Sequence, residues 1–129
     1  MDLNSLFQSA DWKKEKHVPV IEVVGERKKG AIINIKLQVG KEVAHPNTTE
    51  HHIAWIKALF LPEGEKYPYE IGVANFNAHG ASVKGPNTST IFCEPQATLS
   101  FKSEKPGTIL AFSFCNIHGL WQNSYELKF

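Results

Sequence analysis

The sequence has few of the features that mark several protein classes. Its 129 residues include two cysteines and one methionine, and 14 basic side chains nearly balance 13 acidic ones, giving a formal net charge of +1. Two cysteines are too few for the disulfide framework of a small secreted protein. The near-balance of charge argues against a broad electrostatic surface for nucleic acid or for an anionic membrane.

Long apolar stretches are also absent. The longest runs, such as residues 58–61 and 109–112, are far too short to cross a bilayer. The first 16 residues contain no apolar segment of the kind found in secretory signals. Since 42% of the residues are hydrophobic and 21% are charged, the composition is typical of a folded globular protein. We therefore expect a cytoplasmic protein whose residues 1–129 form one domain.

Alternation of apolar and polar residues is the main secondary-structure signal. In residues 31–40, the side chains of Ile33, Ile35, Leu37 and Val39 fall on one face of a strand and polar side chains fall on the other. Clusters of proline and glycine provide turn signals between the strand candidates. Seven segments are predicted as strands: residues 31–40, 53–61, 69–76, 88–93, 97–102, 109–115 and 124–129.

This pattern predicts an all-β protein. About seven short strands within roughly 100 residues leave little room for crossover helices and favour an antiparallel β-sandwich. Only residues 3–12 are predicted as a short helix, with Asp2 or Asn4 as its N-cap. The expected architecture is therefore a β-sandwich with a short N-terminal helical arm.

Histidine and cysteine residues occur in three groups, at residues 15–19, 45–52 and 115–119. Cys115 and His118 are one tight turn apart and can be aimed at one point, because Gly119 allows the backbone to turn away. His45 and His51 flank turn-forming residues in a loop that can curl around an ion. Each group alone is also compatible with a purely structural interpretation: the histidines would lie in ordinary surface loops, and the cysteine would be a buried structural residue.

Several imidazoles and one thiolate suit iron, copper or zinc. A four-thiolate site is excluded because there is no Cys-x-x-Cys pair, and nothing in the sequence orients a catalytic base for a Cys–His hydrolase. A blue-copper site usually has an axial methionine, whereas Met1 is the only methionine here and Gln122 the only substitute near the end of the chain. A non-catalytic copper or iron electron-transfer protein is the alternative reading, and an immunoglobulin-like binding module is a third.

Three segments carry a family resemblance: EKHVP at residues 15–19, HPNTTEHHI at 45–53 and CNIHGLW at 115–121. They resemble the signature segments of superoxide reductases, specifically the one-iron, neelaredoxin type of the desulfoferrodoxin family. The resemblance extends from about residue 11 to residue 121. It implies an immunoglobulin-like sandwich and an enzyme that reduces superoxide to hydrogen peroxide by one electron, without dismutation to oxygen.

The resemblance also implies a ligand set. A mononuclear non-haem iron would have four equatorial imidazoles, from His17, His45, His51 and His118, and one axial thiolate, from Cys115. One iron per chain is expected, because the four-cysteine module of two-iron relatives is missing.

Two further residues match functional positions of the family. Glu15 matches a carboxylate that can occupy the sixth coordination position, and Lys16 matches a cation held near the open position; both are candidate catalytic residues. Cys93 matches no family position, and His52 and His79 lie in matching segments but not at ligand positions.

The resemblance implies partners as well. No flavin or nucleotide motif is present, so the electron must come from another protein, and the family implies a rubredoxin-like donor. The family also implies a homo-oligomer, such as a tetramer.

Overall fold

Residues 1–129 are described by a computed structural model with seven strands and one short helix. No helix in it is both long enough and apolar enough to span a membrane. The elements are a 3-10 helix at Leu3–Ser5, β1 at Val20–Val24, β2 at Ile32–Gln38, β3 at Ile53–Pro62, β4 at Tyr69–Asn75, β5 at Gln96–Lys102, β6 at Gly107–Cys115 and β7 at Gly119–Leu127.

The strands form two antiparallel sheets. One has the order β1-β2-β5 and the other the order β4-β3-β6-β7, with every neighbouring pair antiparallel. Buried side chains from both sheets form one core cluster, so the sheets pack face to face. The predicted immunoglobulin-like β-sandwich is confirmed.

The core takes buried side chains from both sheets. In β2, the predicted apolar face of Ile33, Ile35 and Leu37 is completely buried. In β6, the buried face carries the small side chains of Ala111 and Cys115, while the larger side chains on its opposite face are half-buried. Large side chains of β3, such as Phe60, complete the same core.

One strand was missed and one predicted strand is wrong. β1 shows no alternation, because the adjacent residues Val20 and Ile21 are both buried, so its apolar run has no period of two. The predicted strand at residues 88–93 is an irregular segment with one isolated bridge. There the Ser89 hydroxyl accepts the backbone N–H of Ile91 at 3.1 Å, a local hydrogen bond that competes with strand pairing.

The predicted helix at residues 3–12 is also wrong beyond its first turn. Asp2 caps the 3-10 turn by accepting the N–H of Asn4 at 3.0 Å, as expected. The chain then runs along β7: the N–H of Gln8 donates to the carbonyl of Leu120 at 3.1 Å, and the carbonyl of Gln8 accepts from Gln122 at 2.9 Å. The arm has no buried face for a helix to use, and pairing with β7 covers an open sheet edge.

Candidate metal centre

Three segments of the chain meet at one end of the sandwich. Cys115 is the last residue of β6 and pairs with Ile53, the first residue of β3. The loop that leads into β3 carries His45 and His51, and His17 lies just before β1. All three groups of candidate residues therefore lie at one end of the sandwich, where a rigid sheet can position side chains from loops.

A tight turn brings Cys115 and His118 together. Cys115 pairs with Gly119 across a three-residue turn, and Gly119 has a φ of 79°, a conformation that glycine adopts without strain. The backbone N–H of His118 donates to the Cys115 sulfur at 3.4 Å, and the Nδ1 atom of His118 lies 3.8 Å from that sulfur. The turn thus presents a thiolate and an imidazole on the same side.

A second contact fixes the segment before β1. Ser113 in β6 is completely buried, and its hydroxyl donates to the carbonyl of His17 at 2.8 Å. Because that carbonyl is also removed from water, the hydrogen bond stabilises one position of His17 relative to the sheet.

Four imidazole rings surround a common point. Neighbouring ring centroids are 4.7 Å apart for His17 and His45, 4.8 Å for His45 and His51, 5.1 Å for His51 and His118, and 4.9 Å for His118 and His17. The distance across the ring, from His17 to His51, is 6.3 Å. Four similar sides and a longer diagonal describe a closed quadrilateral of imidazoles.

The ligand atoms of these side chains are close enough to share one ion. One nitrogen from each of His17, His45 and His51 and the sulfur of Cys115 all lie within 4.8 Å of one another. The Nδ1 atom of His118 lies 3.2 Å from the Nε2 atom of His17. Two nitrogens bound at right angles with bonds of about 2.1 Å would be about 3.0 Å apart, so this spacing fits a shared metal.

Hydrogen bonds turn the ring nitrogens toward the centre. The Nδ1 atom of His17 lies 2.8 Å from the Glu15 carboxylate, and that of His45 lies 2.6 Å from the carbonyl of Pro46. Both oxygens only accept, so each Nδ1 carries the proton and each Nε2 keeps its lone pair. The Nε2 atoms of His45 and His51 are buried without a hydrogen-bond partner. Buried polar atoms are rarely left unpaired, and a metal ion would satisfy both.

Comparison with known proteins supports the same interpretation. The family model described as desulfoferrodoxin matches residues 9–124. The chain belongs to the desulfoferrodoxin family. It is 52% identical to the superoxide reductase of Pyrococcus furiosus over 126 residues, covering 98% of this chain and 99% of that protein. It is 49% identical to the neelaredoxin of Megalodesulfovibrio gigas over 124 residues, covering 96% of this chain and 95% of that one.

A solved structure of a family member has the same fold. The superoxide reductase (neelaredoxin) of Archaeoglobus fulgidus, in the reduced form, superimposes with a TM-score of 0.90 at 60% sequence identity. The match covers 96% of this chain and 99% of that chain. Its similarity therefore extends over the sandwich and the site together.

Within this desulfoferrodoxin-family site, the environment keeps two histidines neutral. Burial lowers the pKa of His45 to about 4, and the nearby side chains of His17, His51 and Lys16 add to the effect. Burial likewise lowers the pKa of His51, again with a contribution from Lys16. Both imidazoles are therefore uncharged at neutral pH, which is the form that binds a metal.

Glu15 lies behind His17 in the structure. Its carboxylate accepts the backbone N–H of His17 at 2.8 Å and contacts the ring nitrogen that faces away from the centre. Burial raises the pKa of Glu15, but the hydrogen bonds from His17 outweigh it and leave the pKa lowered. Coordination by Glu15 stays a prediction, as does the role of Lys16.

Trp121 is a site neighbour to which the sequence assigned no role. Its ring stacks on His17 with centroids 4.8 Å apart and an angle of 13° between the planes. Its indole N–H donates to the carbonyl of His118 at 3.2 Å. The signal in the sequence was its place at the end of the segment 115–121, which resembles a signature segment of the family.

Asn116 was also assigned no role and connects two of the site segments. Its side-chain oxygen accepts the N–H of His52 at 2.8 Å, and its amide donates to the carbonyl of Glu50 at 2.8 Å. The turn that carries His118 is therefore tied to the loop that carries His51.

The lowered pKa of His45 predicts a pH-dependent stability of the metal-free protein. The imidazole has a pKa of about 6.5 in the unfolded chain and about 4 in the folded one. Between these values the unfolded state binds more protons, so the free energy of unfolding falls as the pH is lowered from about 6.5 to about 4. Urea unfolding across this range should show a smaller fall for His45→Gln than for the wild type.

Gln96→Asn is the control for this prediction, because Gln96 is exposed, does not titrate and lies outside the cluster. It should keep the wild-type dependence on pH. An unchanged pH dependence in His45→Gln would contradict the buried, neutral state of His45.

Proposed function

We propose that this chain is a superoxide reductase, an oxidoreductase that converts superoxide, one electron and two protons into hydrogen peroxide without releasing oxygen. The observation that carries the proposal is the cluster of His17, His45, His51 and Cys115, whose ligand atoms lie within 4.8 Å of one another. The cluster occurs in a chain that is 52% identical to a protein named superoxide reductase.

The proposed cofactor is one iron per chain. We assign its ligands to the imidazoles of His17, His45, His51 and His118 and to the thiolate of Cys115. Bound iron would supply the electron for superoxide and a position that attracts a small anion. Imidazole and thiolate ligands suit iron, and the inward Nε2 atoms that lack hydrogen-bond partners support the assignment.

The protein residues favour an anionic substrate. Neutral imidazoles add no negative charge to a divalent ion, so one thiolate leaves the centre positive overall. Lys16 adds a second positive charge, and it is close enough to lower the pKa of both His45 and His51. Because the whole chain has a formal net charge of only +1, attraction of superoxide depends on such local charges.

The surroundings of Cys115 set how much electron density its thiolate can donate to a bound iron. Its side chain is completely buried, and its sulfur accepts the backbone N–H of His118 at 3.4 Å. A hydrogen bond to a ligating sulfur withdraws electron density from it, and the same device tunes other iron–thiolate centres. We propose that this N–H moderates electron donation by Cys115, so that the oxygen–oxygen bond of the substrate is kept.

We assign Glu15 to the remaining coordination position in the resting oxidised state. In the structure its carboxylate bonds to His17, so this role requires the carboxylate to leave that hydrogen bond. Its position beside the cluster and its lowered pKa, which keeps it ionised, support the assignment.

The electron donor is proposed to be an acidic, rubredoxin-like protein. Two lysines flank Trp12 on the arm that leads to His17: the ammonium groups of Lys13 and Lys41 each lie 5.7 Å from its ring centre, and Lys41 also pairs with Glu22. Such a basic patch suits a weak and transient contact with an acidic partner.

We also propose a cytoplasmic location and a homo-oligomer, such as a tetramer. The free thiols of Cys93 and Cys115 suit a reducing compartment. Exposed apolar side chains, including Ile32, Tyr69 and Ile91, offer surface for contacts between copies. Residues 1–129 are proposed to act as one iron-binding domain.

A pulse of superoxide on the iron-loaded, reduced protein tests the proposed function. We expect one hydrogen peroxide for each superoxide consumed, no oxygen, and a new visible absorption band from thiolate bound to oxidised iron. Cys115→Ser should lack the band and lose more than about tenfold in rate. Metal-free protein is the control.

Other outcomes would contradict the proposal. Oxygen release together with one hydrogen peroxide for every two superoxide would indicate dismutation. Fast electron exchange with a redox partner but no consumption of superoxide would instead indicate a non-catalytic electron carrier.

Local attraction by Lys16 predicts a salt effect. We expect Lys16→Ala to slow the second-order reaction with superoxide by about threefold to tenfold at low ionic strength and to weaken its dependence on salt. Lys128→Ala, at the far end of β7, is the control and should behave as the wild type. Equal rates and salt dependence in the two variants would refute the proposed role of Lys16.

A further inference from the structure

A second pair of histidines lies beside the proposed centre. The rings of His52 and His79 are stacked, with centroids 3.6 Å apart and an angle of 6° between the planes. His79 is only 6% exposed, although it lies in the irregular part of the chain after β4. Neither residue belongs to the proposed ligand set, so the burial of His79 needs a separate explanation.

The ring of His79 contacts two oxygen atoms. Its Nδ1 lies 2.9 Å from the side-chain oxygen of Asn47, and its Nε2 lies 2.6 Å from the carbonyl of Phe76. The neutral ring can donate to one of these oxygens, and the protonated ring to both. In either state, the ring occupies the space between the Asn47 side chain and the end of β4.

The orientation of Asn47 is fixed independently. Its amide nitrogen donates to the carbonyl of Cys93 at 2.8 Å, which leaves its oxygen facing His79. Asn47 lies between His45 and His51 in the loop. Its side chain therefore connects the middle of this loop to His79 and to Cys93.

The backbone of His79 makes a further contact with the same loop. The hydroxyl of Thr49 donates to the carbonyl of His79 at 2.6 Å. In addition, the ring of His52, stacked on His79, contacts the carbonyl of Thr48 through its Nδ1 atom at 3.0 Å. His79 therefore touches the loop by its ring face, by its ring edge and by its backbone.

The loop needs such a restraint. The Nε2 atoms of His45 and His51 are buried without partners and lie close to other ligand atoms of the cluster. Without a cation, these lone pairs repel one another, and rotating the imidazoles outward to water would relieve the repulsion. Contacts outside the cluster must therefore oppose that movement before a metal binds.

We propose that His79 is a positioning residue for the metal centre. Through Asn47 and the stacked ring of His52, it holds the loop of residues 45–52 so that His45 and His51 keep Nε2 directed inward. The proposal rests on the metal centre of the proposed function, and it concerns how that centre is organised rather than how it reacts.

Titration of the metal-free protein with Co²⁺ tests this role, because Co²⁺ reports ligand geometry by its visible absorption. His79→Phe keeps a flat ring to stack on His52 but removes both ring nitrogens. We expect its affinity for Co²⁺ to fall by about tenfold to a hundredfold, with a changed absorption spectrum. Wild-type affinity and spectrum in His79→Phe would overturn the proposal.

A core variant controls for loss of stability alone. Ile109 is completely buried near the other end of β6, where it pairs with Phe60 and Tyr125. Ile109→Ala should destabilise the fold but bind Co²⁺ with the wild-type spectrum. If Ile109→Ala shifts the affinity and spectrum as much as His79→Phe does, then His79 has only a general structural role.

Asn47→Ala provides a second variant at a partly exposed position, should His79→Phe fail to fold. It removes the side chain through which His79 reaches the loop, so we expect a similar loss of Co²⁺ affinity. The double variant should lose less than the product of the two single effects. Fully multiplicative effects, or wild-type binding by Asn47→Ala, would contradict the proposal.

The superoxide assay separates this proposal from the proposed function. Tight binding of Co²⁺ by the wild type, without reduction of superoxide by the iron-loaded form, would reject the function and leave the positioning role in place. An active wild type together with unaltered Co²⁺ binding by His79→Phe would reject only the positioning role. Absence of any Co²⁺ binding by the wild type would reject both.

Discussion

The repulsion among inward-facing imidazole nitrogens is the constraint on which the rest of the structure depends. The Nε2 atoms of His45 and His51 are buried without a partner and gain a favourable interaction only when a cation binds. Contacts from outside therefore hold two of the rings: Glu15 and the carbonyl of Pro46 contact the Nδ1 atoms of His17 and His45, and Trp121 stacks on His17. The contacts around the centre thus stabilise an arrangement of side chains that is unfavourable by itself.

The β-sandwich suits this task because β6 ends at the same end of the fold at which β1 and β3 begin. Cys115 lies on a strand with a completely buried face, and the buried hydroxyl of Ser113 fixes the backbone of His17 to the same strand. Asn116 then ties the turn after β6 to the loop before β3. The ligands come from three distant segments, yet each is connected to the same pair of central strands, and this limits how far they can move apart.

Local patterns predicted the parts of the structure that depend on neighbouring residues. The alternation in β2 and the turn from Cys115 to Gly119 could be read from the sequence because each involves a few consecutive positions. β1 could not, since the adjacent buried residues Val20 and Ile21 break the period of two. The segment at residues 88–93 misled the prediction because Ile91 and Phe92 stay exposed and its backbone bonds to residues 78–80, outside both sheets.

Contacts between distant segments were beyond such reasoning. Stacking of Trp121 on His17 and the approach of His79 to Asn47 join residues 104 and 32 positions apart, and no spacing in one sequence encodes them. The ligand set was predicted from the resemblance to a family, because the spacing of Cys115 and His118 alone was also compatible with other kinds of site. The structure adds which nitrogen of each ring faces the centre and which groups hold it there.

X-ray absorption at the iron edge of the ferrous protein tests the central claim most directly, because it counts the atoms bound to the metal. We expect one sulfur and four imidazole nitrogens, with the sulfur lost and the nitrogens kept in Cys115→Ser. A spectrum without sulfur in the wild type, or with oxygen in place of most of the imidazoles, would contradict it.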